Sequence, residues 1–451
     1  MFDLLVRGGR LVIPGVGVVP GDVGVAGGRI VAIAEELPGT AREVLEASGK
    51  LVLPGVVDPH VHIGNSLPFE VEAHTETRAA VIGGVTTVCV FLRRTDSYLA
   101  HLPAFRKAID EGSYADAAFH LQIFTEEQLA ELPGCAAEHG VRSFKFYMSG
   151  IPGIVQSVSD AFLAEGFRQV AALGHDAVAC VHAENASLVD RARSELARTM
   201  PSGTLADWER AHPSQAEALA IQTAAYLARP TGVHLYIVHL SSAEGLDVVR
   251  RVKRDGARLT AETTSAYLGL SSDDPNGFLL KMVPPIRSAA NGAALGDGLL
   301  DGTIELVGTD NTSRNRTTKQ PEQGLHGARP GYAALGTHLP AMLHFGHRRR
   351  MPIEVLADRL CRAPAQVFGL YPKKGTIAVG SDADLVVVDP ALEREVQPEA
   401  LAGMSDFSPF EGKRLHGWPV ATIKGGEVVA REGRLVATRP AGRYLPRPDQ
   451  K

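Results

Sequence analysis

The amino-acid sequence predicts an α/β fold: a (β/α)8 TIM-like barrel with a small β-sandwich domain built from both chain termini. Three observations support this prediction. The chain has 451 residues, 45% hydrophobic and 22% charged, which suffices for one large core and a second, smaller one. Short apolar runs alternate with helical stretches in its middle. Glycine-rich strand patterns occupy both of its ends.

The two ends share a β-rich pattern. Residues 4–13 and 23–33 each place β-forming residues around a glycine pair, which predicts a tight turn. Residues 384–389 and 421–429 again predict strands, with a turn inside the second segment. Because an isolated hairpin is only marginally stable, we expect residues 1–50 and 371–451 to form one domain of packed sheets.

The middle of the chain, residues 51–370, is the expected barrel. Strand candidates alternate there with helical stretches: strands at 85–91, 177–182 and 233–239, and helices at 97–111, 161–173 and 216–227. Such alternation predicts a parallel sheet with crossover helices, and the length suits eight strand–helix units. We find no repeat of 20–50 residues that would indicate a solenoid.

Composition narrows the functional classes. A net charge of -5 provides no broad cationic surface for nucleic acid or an anionic membrane, and we expect the basic run at 347–350 to be a solvated helix end. The four cysteines are far apart and form no CxxC pair, which fits a reducing compartment. Charges at Asp3 and Arg7 interrupt the N-terminal apolar stretch, and no segment offers the roughly 20 apolar residues of a membrane span. We therefore expect a cytoplasmic protein.

Polar side chains follow several apolar runs at the point where a strand would end. In a parallel barrel all such ends meet on one face, where barrel enzymes keep their catalytic groups. These side chains are therefore candidate metal ligands: His60, His62, Lys145, His182, His239 and Asp310.

Position selects among the histidines. His60 and His62 alternate along one strand and can share a face, although such a pair alone is equally typical of solvated or core histidines. Asp58, just before them, is either a turn former or a residue that orients a ligand. His175 and His234 precede the apolar runs that end near His182 and His239, so we expect them at the opposite rim.

Lys145 is the exception, because an ammonium group cannot bind a cation. One interpretation is a buried lysine paired with an acid. The other is a lysine that has reacted with CO2 to a carbamate, whose two oxygens can bridge two metal ions.

At these residues the chain resembles the cyclic amidohydrolases, closest to their dihydropyrimidinase and hydantoinase branch. Matching motifs occur in order along nearly the whole chain, at residues 58–62, 143–145, 182–185, 238–241, 281–287, 308–311, 380–384 and 408–412. The resemblance implies two divalent metal ions, most simply Zn²⁺, with His60, His62 and Asp310 on one and His182 and His239 on the other. Carbamylated Lys145 and a hydroxide would bridge them. Asp310 would take the proton of the attacking hydroxide and pass it to the leaving nitrogen.

Two departures from the family pattern bear on the substrate. Dihydroorotases carry a carboxylate-binding arginine two residues after the second histidine, where this chain has Gly64. Hydantoinases and dihydropyrimidinases commonly carry a tyrosine five residues after the lysine, where this chain has Gly150. Tyr147 and Ser149 are the available replacements for that hydroxyl.

Substrate contacts in this family run largely through the backbone. By resemblance we expect contacts at Val283 and at His326, both in segments with altered side chains. Arg93 and Arg94 follow a strand where relatives place part of a substrate-gating loop. They either select an acidic substituent or face solvent as loop arginines.

The predicted function is metal-dependent hydrolysis of a carbon–nitrogen bond in a small cyclic amide, imide or ureide. A dihydropyrimidine or a 5-substituted hydantoin is the leading substrate. Allantoin ring opening is the alternative within the enzyme class, and a non-catalytic scaffold related to dihydropyrimidinases is the alternative outside it. The resemblance also implies a homo-oligomer, either a tetramer or a dimer.

Overall fold

The computed structural model describes residues 1–447. Its N-terminal strands are β1 (Phe2–Ile13), β2 (Gly17–Ala26), β3 (Arg29–Ala34), β4 (Ala41–Glu46) and β5 (Leu51–Pro54). The predicted turn at Gly27 and Gly28, between β2 and β3, is confirmed. The turn predicted at Gly8 and Gly9 is wrong, because β1 continues through it with a register shift against β2. Gly8 has a φ of 68°, so this glycine pair forms a β-bulge instead.

The second sheet is a ring of parallel strands. In chain order they are β6 (Val56–His62), β7 (Val85–Arg93), β8 (Asp116–Gln122), β9 (Ser143–Tyr147), β10 (Val178–His182), β11 (His234–Ile237), β12 (Leu259–Thr264) and β13 (Leu306–Gly308). Neighbours in sequence are neighbours in the sheet. After a break at Asp310, the short β14 (Asn311–Thr312) pairs in parallel with β6 and closes the ring. The predicted barrel is therefore confirmed.

Helices connect these strands. In chain order they are α1 (Phe69–Ile82), α2 (Leu102–Gly112), α3 (Glu126–His139), α4 (Asp160–Ala172), α5 (Ala186–Thr199), α6 (Leu205–Arg210), α7 (Ser214–Ala228), α8 (Ala243–Arg254), α9 (Ser265–Gly269), α10 (Ala289–Leu300), α11 (Arg316–Lys319), α12 (Gly324–Gly327), α13 (His338–Arg349), α14 (Ile353–Ala357) and α15 (Ala363–Val367). The helices predicted at 161–173 and 216–227 correspond to α4 and α7. The helix predicted at 97–111 begins later, at Leu102, with Pro103 in its first turn.

The C-terminal strands join the N-terminal ones in a single sheet. They are β15 (Leu385–Glu395), β16 (Arg414–Lys424), β17 (Glu427–Arg431) and β18 (Arg434–Leu435), and β15 pairs with β5. Gly426 N–H donates to Ala383 O, and Ala383 N–H donates to Gly28 O, so the turn after β2 lies close to the turn after β16. Both termini thus build the small β domain. The division into residues 1–50 plus 371–451 and 51–370 stays a prediction.

The amino-terminal end of the barrel is filled. Phe368 packs inside it against buried Cys89, Cys180 and Tyr236. The C-terminal segment adds a bridge there, since Leu445 N–H donates to Ala117 O. The carboxyl ends of the strands therefore remain as the accessible face. Among the helices of residues 1–447, none has the length and apolar character needed to cross a membrane.

Candidate metal centre

Strand β6 and the break after β13 bring three predicted ligands together. Nε2 of His60 and Nε2 of His62 each lie 3.2 Å from Oδ1 of Asp310. All three residues are buried, and their ligand atoms lie within 4.8 Å of one another. Such a group of two imidazoles and one carboxylate could hold a metal ion.

Two further histidines face each other at the ends of β10 and β11. Nδ1 of His182 lies 3.0 Å from Nε2 of His239. His239 and Asp310 both have left-handed backbones, with φ of 40° and 52°, a conformation that is uncommon for residues other than glycine. Strain of this kind concentrates at functional sites, where the surrounding structure holds the residue in place. His175 and His234 lie at the opposite rim, beside Arg258 and Thr260, as predicted.

Lys145 lies between the two groups, on β9. Its Nζ is 3.2 Å from Nε2 of His60 and lies over the rings of Phe91 and Tyr147. No carboxylate of residues 1–447 lies within 4.0 Å of this ammonium, and Asp310 and Glu262 act on its pKa from farther away. Both interpretations of Lys145 stay predictions. Burial lowers the pKa of Lys145 to about 8, which makes the unprotonated amine accessible near neutral pH.

Burial also determines the protonation of the ligand candidates. It lowers the pKa of His60 and of His239 well below the usual histidine value, with the positive charge of Lys145 acting in the same direction on His60. Neutral imidazole is the form that binds metals. Burial alone would raise the pKa of Asp310, but His60 and His62 hold it below its ordinary value. His60 and His239 thus present neutral nitrogens, and Asp310 presents an ionised carboxylate.

Glu262 orients this cluster and was not predicted from the sequence. Its Oε1 lies 2.8 Å from Nδ1 of His60 and accepts from the His239 backbone N–H at 3.2 Å. The Tyr236 hydroxyl donates to its Oε2 at 2.6 Å. Burial raises the pKa of Glu262 to about 8. Its one sequence signal is an acid placed inside the apolar strand β12.

A second buried chain of polar groups holds His182. Nε2 of His182 lies 2.9 Å from Oε2 of Glu184, and Nδ1 of His212 lies 2.7 Å from Oε1 of the same carboxylate. Burial would raise the pKa of Glu184, but His212 and His182 hold it well below its usual range. His212 Nε2 in turn lies 3.0 Å from Arg193, which donates to Gly150 O. The sequence motif containing Glu184 was noted, whereas His212 was missed.

Asp58 acts on the backbone rather than on an imidazole ring. Its Oδ1 accepts from the N–H groups of His60 and Thr309, at 3.0 and 3.1 Å. Its Oδ2 accepts from the Thr309 hydroxyl at 2.6 Å. Asp58 therefore ties β6 to the residue that precedes Asp310.

A cavity of about 200 Å³ opens over five of the six ligand candidates, and His60 lies buried behind them. Val283 and Arg93 line this cavity. Arg94 is turned away and pairs with Asp96. His326 is exposed, does not line the cavity, and lies 2.8 Å from Met200 O through its Nε2.

The two departures from the family pattern have structural counterparts. Gly64 has a φ of 82°, and its N–H donates to Glu72 at 2.6 Å. At Gly150, an added Cβ would lie only 2.9 Å from Val155 O. Tyr147 lines the cavity, whereas the buried Ser149 hydroxyl is not among the lining groups.

Comparison with known proteins extends this description. Residues 51–429 match the Amidohydrolase family. The L-hydantoinase of Paenarthrobacter aurescens is 32% identical over 99% of this chain and 98% of its own length. The allantoinase of Rubrobacter xylanophilus is 34% identical, over 98% and 97% of the two chains.

Solved structures agree with the sequence comparison. The L-hydantoinase (dihydropyrimidinase) from Arthrobacter aurescens has a TM-score of 0.92 at 30% identity, covering 99% of this chain and 100% of that one. The dihydropyrimidinase from Brevibacillus agri NCHU1002 has a TM-score of 0.91 at 27% identity, covering 98% of each chain. The chain therefore belongs to the amidohydrolase family and, within it, to the cyclic amidohydrolases of the hydantoinase branch.

Proposed function

We propose that this enzyme opens a dihydropyrimidine or a 5-substituted hydantoin at a centre of two divalent metal ions. The observation that carries the proposal is the convergence of six potential ligand side chains at the carboxyl ends of one barrel, beneath a single cavity. His60, His62 and Asp310 would hold one ion, and His182 and His239 the other. Lys145, carbamylated by CO2, would contribute to both.

The donor set fits such ions. The two nitrogens of His182 and His239 face each other at 3.0 Å, and Glu184 accepts the remaining ring proton of His182. Lys145 has no acid partner among residues 1–447, which suits an amine that becomes an anion on reaction with CO2. Histidine and carboxylate donors favour Zn²⁺, although Mn²⁺ and Co²⁺ accept the same donors.

Bound divalent ions would supply an acidified water molecule as nucleophile and would polarise the ring carbonyl. Asp310 acts as general base and then as general acid. Its carboxylate accepts a proton from the attacking water and delivers it to the leaving ring nitrogen. His60 and His62, whose Nε2 atoms each lie 3.2 Å from Oδ1 of Asp310, position this carboxylate. The Val283 segment lines the cavity and offers backbone groups to the ring amide.

The test is the initial rate of dihydrouracil ring opening by zinc-loaded, bicarbonate-supplied protein, beside the Asp310→Asn variant. We expect turnover in the parent and a loss of at least about 100-fold in the variant, as for a general base. A fully metallated protein that opens neither dihydrouracil nor hydantoin would contradict the proposal.

Allantoin is the second candidate substrate, because an allantoinase is among the relatives at 34% identity. Including allantoin in the same assay decides between the two. The non-catalytic alternative is disfavoured, since all six ligand candidates are present. Assembly as a tetramer or dimer and a cytoplasmic location remain proposals, of which light scattering tests the first.

A further inference from the structure

Three arginine side chains line the cavity over the metal centre: Arg93, Arg314 and Arg329. Arg93 ends β7, while the other two lie in loops that follow β14 and α12. Asp310 is the one carboxylate among the lining residues, and its Oδ1 faces His60 and His62. Within residues 1–447, no carboxylate lies within 4.0 Å of any of the three guanidinium groups.

Backbone carbonyls, rather than acids, accept hydrogen bonds from Arg93 and Arg314. Arg93 donates to Ile154 O at 3.2 Å, and Arg314 donates through Nε to Pro330 O at 2.7 Å. The terminal nitrogens of Arg314 make no hydrogen bond to the described part of the chain, although the residue is only 7% exposed. Burial lowers the pKa of Arg314, and the charges of Arg329 and Arg93 act in the same direction.

The acid that acts on Arg314, Glu72, is already occupied by backbone hydrogen bonds. Glu72 lies close enough to oppose the pKa shift of Arg314, but its carboxylate accepts four backbone N–H groups. These come from the loop after β6, at distances of 2.6 to 3.3 Å, from Gly64, Asn65, Ser66 and Leu67. Glu72 therefore shapes this loop and does not form an ion pair with the arginines.

Two buried lysines, whose pKa burial lowers, lie behind the same wall. Nζ of Lys319 donates to the carbonyls of Lys281 and Gly331, both at 2.7 Å, and Nζ of Lys281 donates to Leu325 O at 2.6 Å. Neither lysine has a carboxylate partner within the described residues. Arg314 is buried, whereas Arg93 and Arg329 are exposed. Like charges gathered around one cavity repel one another, and a bound anion relieves this repulsion.

We propose that Arg93, Arg314 and Arg329 form a subsite for a carboxylate substituent of the cyclic substrate, so that the enzyme prefers an acidic cyclic amide to a neutral one. Guanidinium groups bind carboxylates through paired, charge-assisted hydrogen bonds. These three arginines lie in other segments than Gly64, the position at which dihydroorotases carry their carboxylate-binding arginine. The inference rests on the ring-opening function proposed above.

The kinetic test compares hydantoin-5-acetic acid with its neutral carboxamide, which has nearly the same shape. We expect kcat/KM to be about 10-fold or more higher for the acid, and Arg93→Gln and Arg329→Gln each to lower that ratio by about 10-fold. Arg94→Gln is the matched control: it removes a neighbouring charge that is already paired with Asp96, and we expect the preference to persist. An equal rate for both compounds in the parent, or an unchanged ratio in both variants, would overturn the subsite.

A binding measurement separates this inference from the ring-opening proposal. Metal-free protein in chelator does not turn over, so calorimetry can compare the affinities of the same two compounds. We expect tighter binding of the acid, weakened by salt and abolished in the Arg93→Gln, Arg329→Gln double variant. If ring opening fails but this pattern appears, only the catalytic proposal is lost. Equal affinities, or no detectable binding of the acid, overturn the subsite itself.

Discussion

Oε1 of Glu262 lies 2.8 Å from Nδ1 of His60. The contact crosses the barrel interior from β12 to β6 and leaves Nε2 of His60 facing Asp310. The same carboxylate accepts the Tyr236 hydroxyl and the backbone N–H of His239. One buried glutamate thus fixes residues that we assign to both metal ions.

Replacing Glu262 is therefore expected to weaken metal binding. In Glu262→Gln the side chain keeps its shape, but an amide nitrogen replaces one of the two oxygens that contact His60, His239 and Tyr236. Such outer contacts are worth about 10- to 100-fold in metal affinity. Competition with a chromogenic chelator measures the change in zinc affinity. Glu305→Gln, which alters a carboxylate bonded to Ala261 N–H on the same strand, is the control. Parent-like zinc affinity in Glu262→Gln would refute this role.

Glu184 is expected to control the second metal ion. Because its carboxylate holds His182 in one orientation, Glu184→Gln should weaken the ion bound by His182 and His239 by about 10- to 100-fold. At a zinc concentration just sufficient to saturate the parent, we expect about two ions per chain in the parent and about one in the variant, measured by elemental analysis after gel filtration. His234→Asn, at the opposite rim, should keep both ions. Two tightly held ions in Glu184→Gln would contradict the assignment.

The sequence allowed the barrel and the ligand set to be predicted because both are local patterns. An apolar run that ends in a histidine, such as the one ending at His182, marks a strand and its carboxyl end together. The roles of Glu262 and His212 were not predicted, because these roles depend on contacts between residues that are distant in the sequence. His60 and Glu262 are 202 positions apart, and no spacing rule relates them. Arg314 lies in an irregular loop and was missed for the same reason.

Tyr147 is expected to provide the hydroxyl that relatives supply from the position of Gly150. It lines the cavity, and its ring stacks on His182 at 5.2 Å between centroids. Tyr147→Phe should lower kcat by about 10- to 100-fold with a smaller change in KM, as expected when a donor to the developing oxyanion is lost. Steady-state kinetics on dihydrouracil measure both constants. Ser149→Ala is the comparison; a larger loss of kcat there than in Tyr147→Phe would assign the hydroxyl to Ser149.

A buried group of charges joins the barrel to the small β domain. Asp116, at the start of β8, lies 2.6 Å from Nζ of Lys374 and 2.5 Å from Nζ of Lys424. Lys374 also contacts Asp384 at 2.6 Å and Asp382 at 3.0 Å. These contacts connect a barrel strand to β16 and to the segment leading into β15. Removing one partner leaves an uncompensated buried charge, which typically costs about 3–5 kcal/mol.

The ion pairs of Asp116 with Lys374 and Lys424 are expected to make the free energy of unfolding fall at acid pH. Burial would raise the pKa of Asp116, but Lys374 and Lys424 outweigh it and hold the pKa at about 2, below the ordinary 3.8. The unfolded chain therefore takes up a proton at higher pH than the folded protein, so the stabilisation is complete above about pH 4 and is lost as the pH falls towards 2. Urea unfolding at several pH values should show that Asp116 contributes about 2 kcal/mol of the loss over this interval, as the difference between the parent and Asp116→Asn. That pH dependence should be smaller in Asp116→Asn and unchanged in Asp273→Asn, which alters an exposed acid. Equal pH dependence in the parent and Asp116→Asn would show that Asp116 does not link folding to acid.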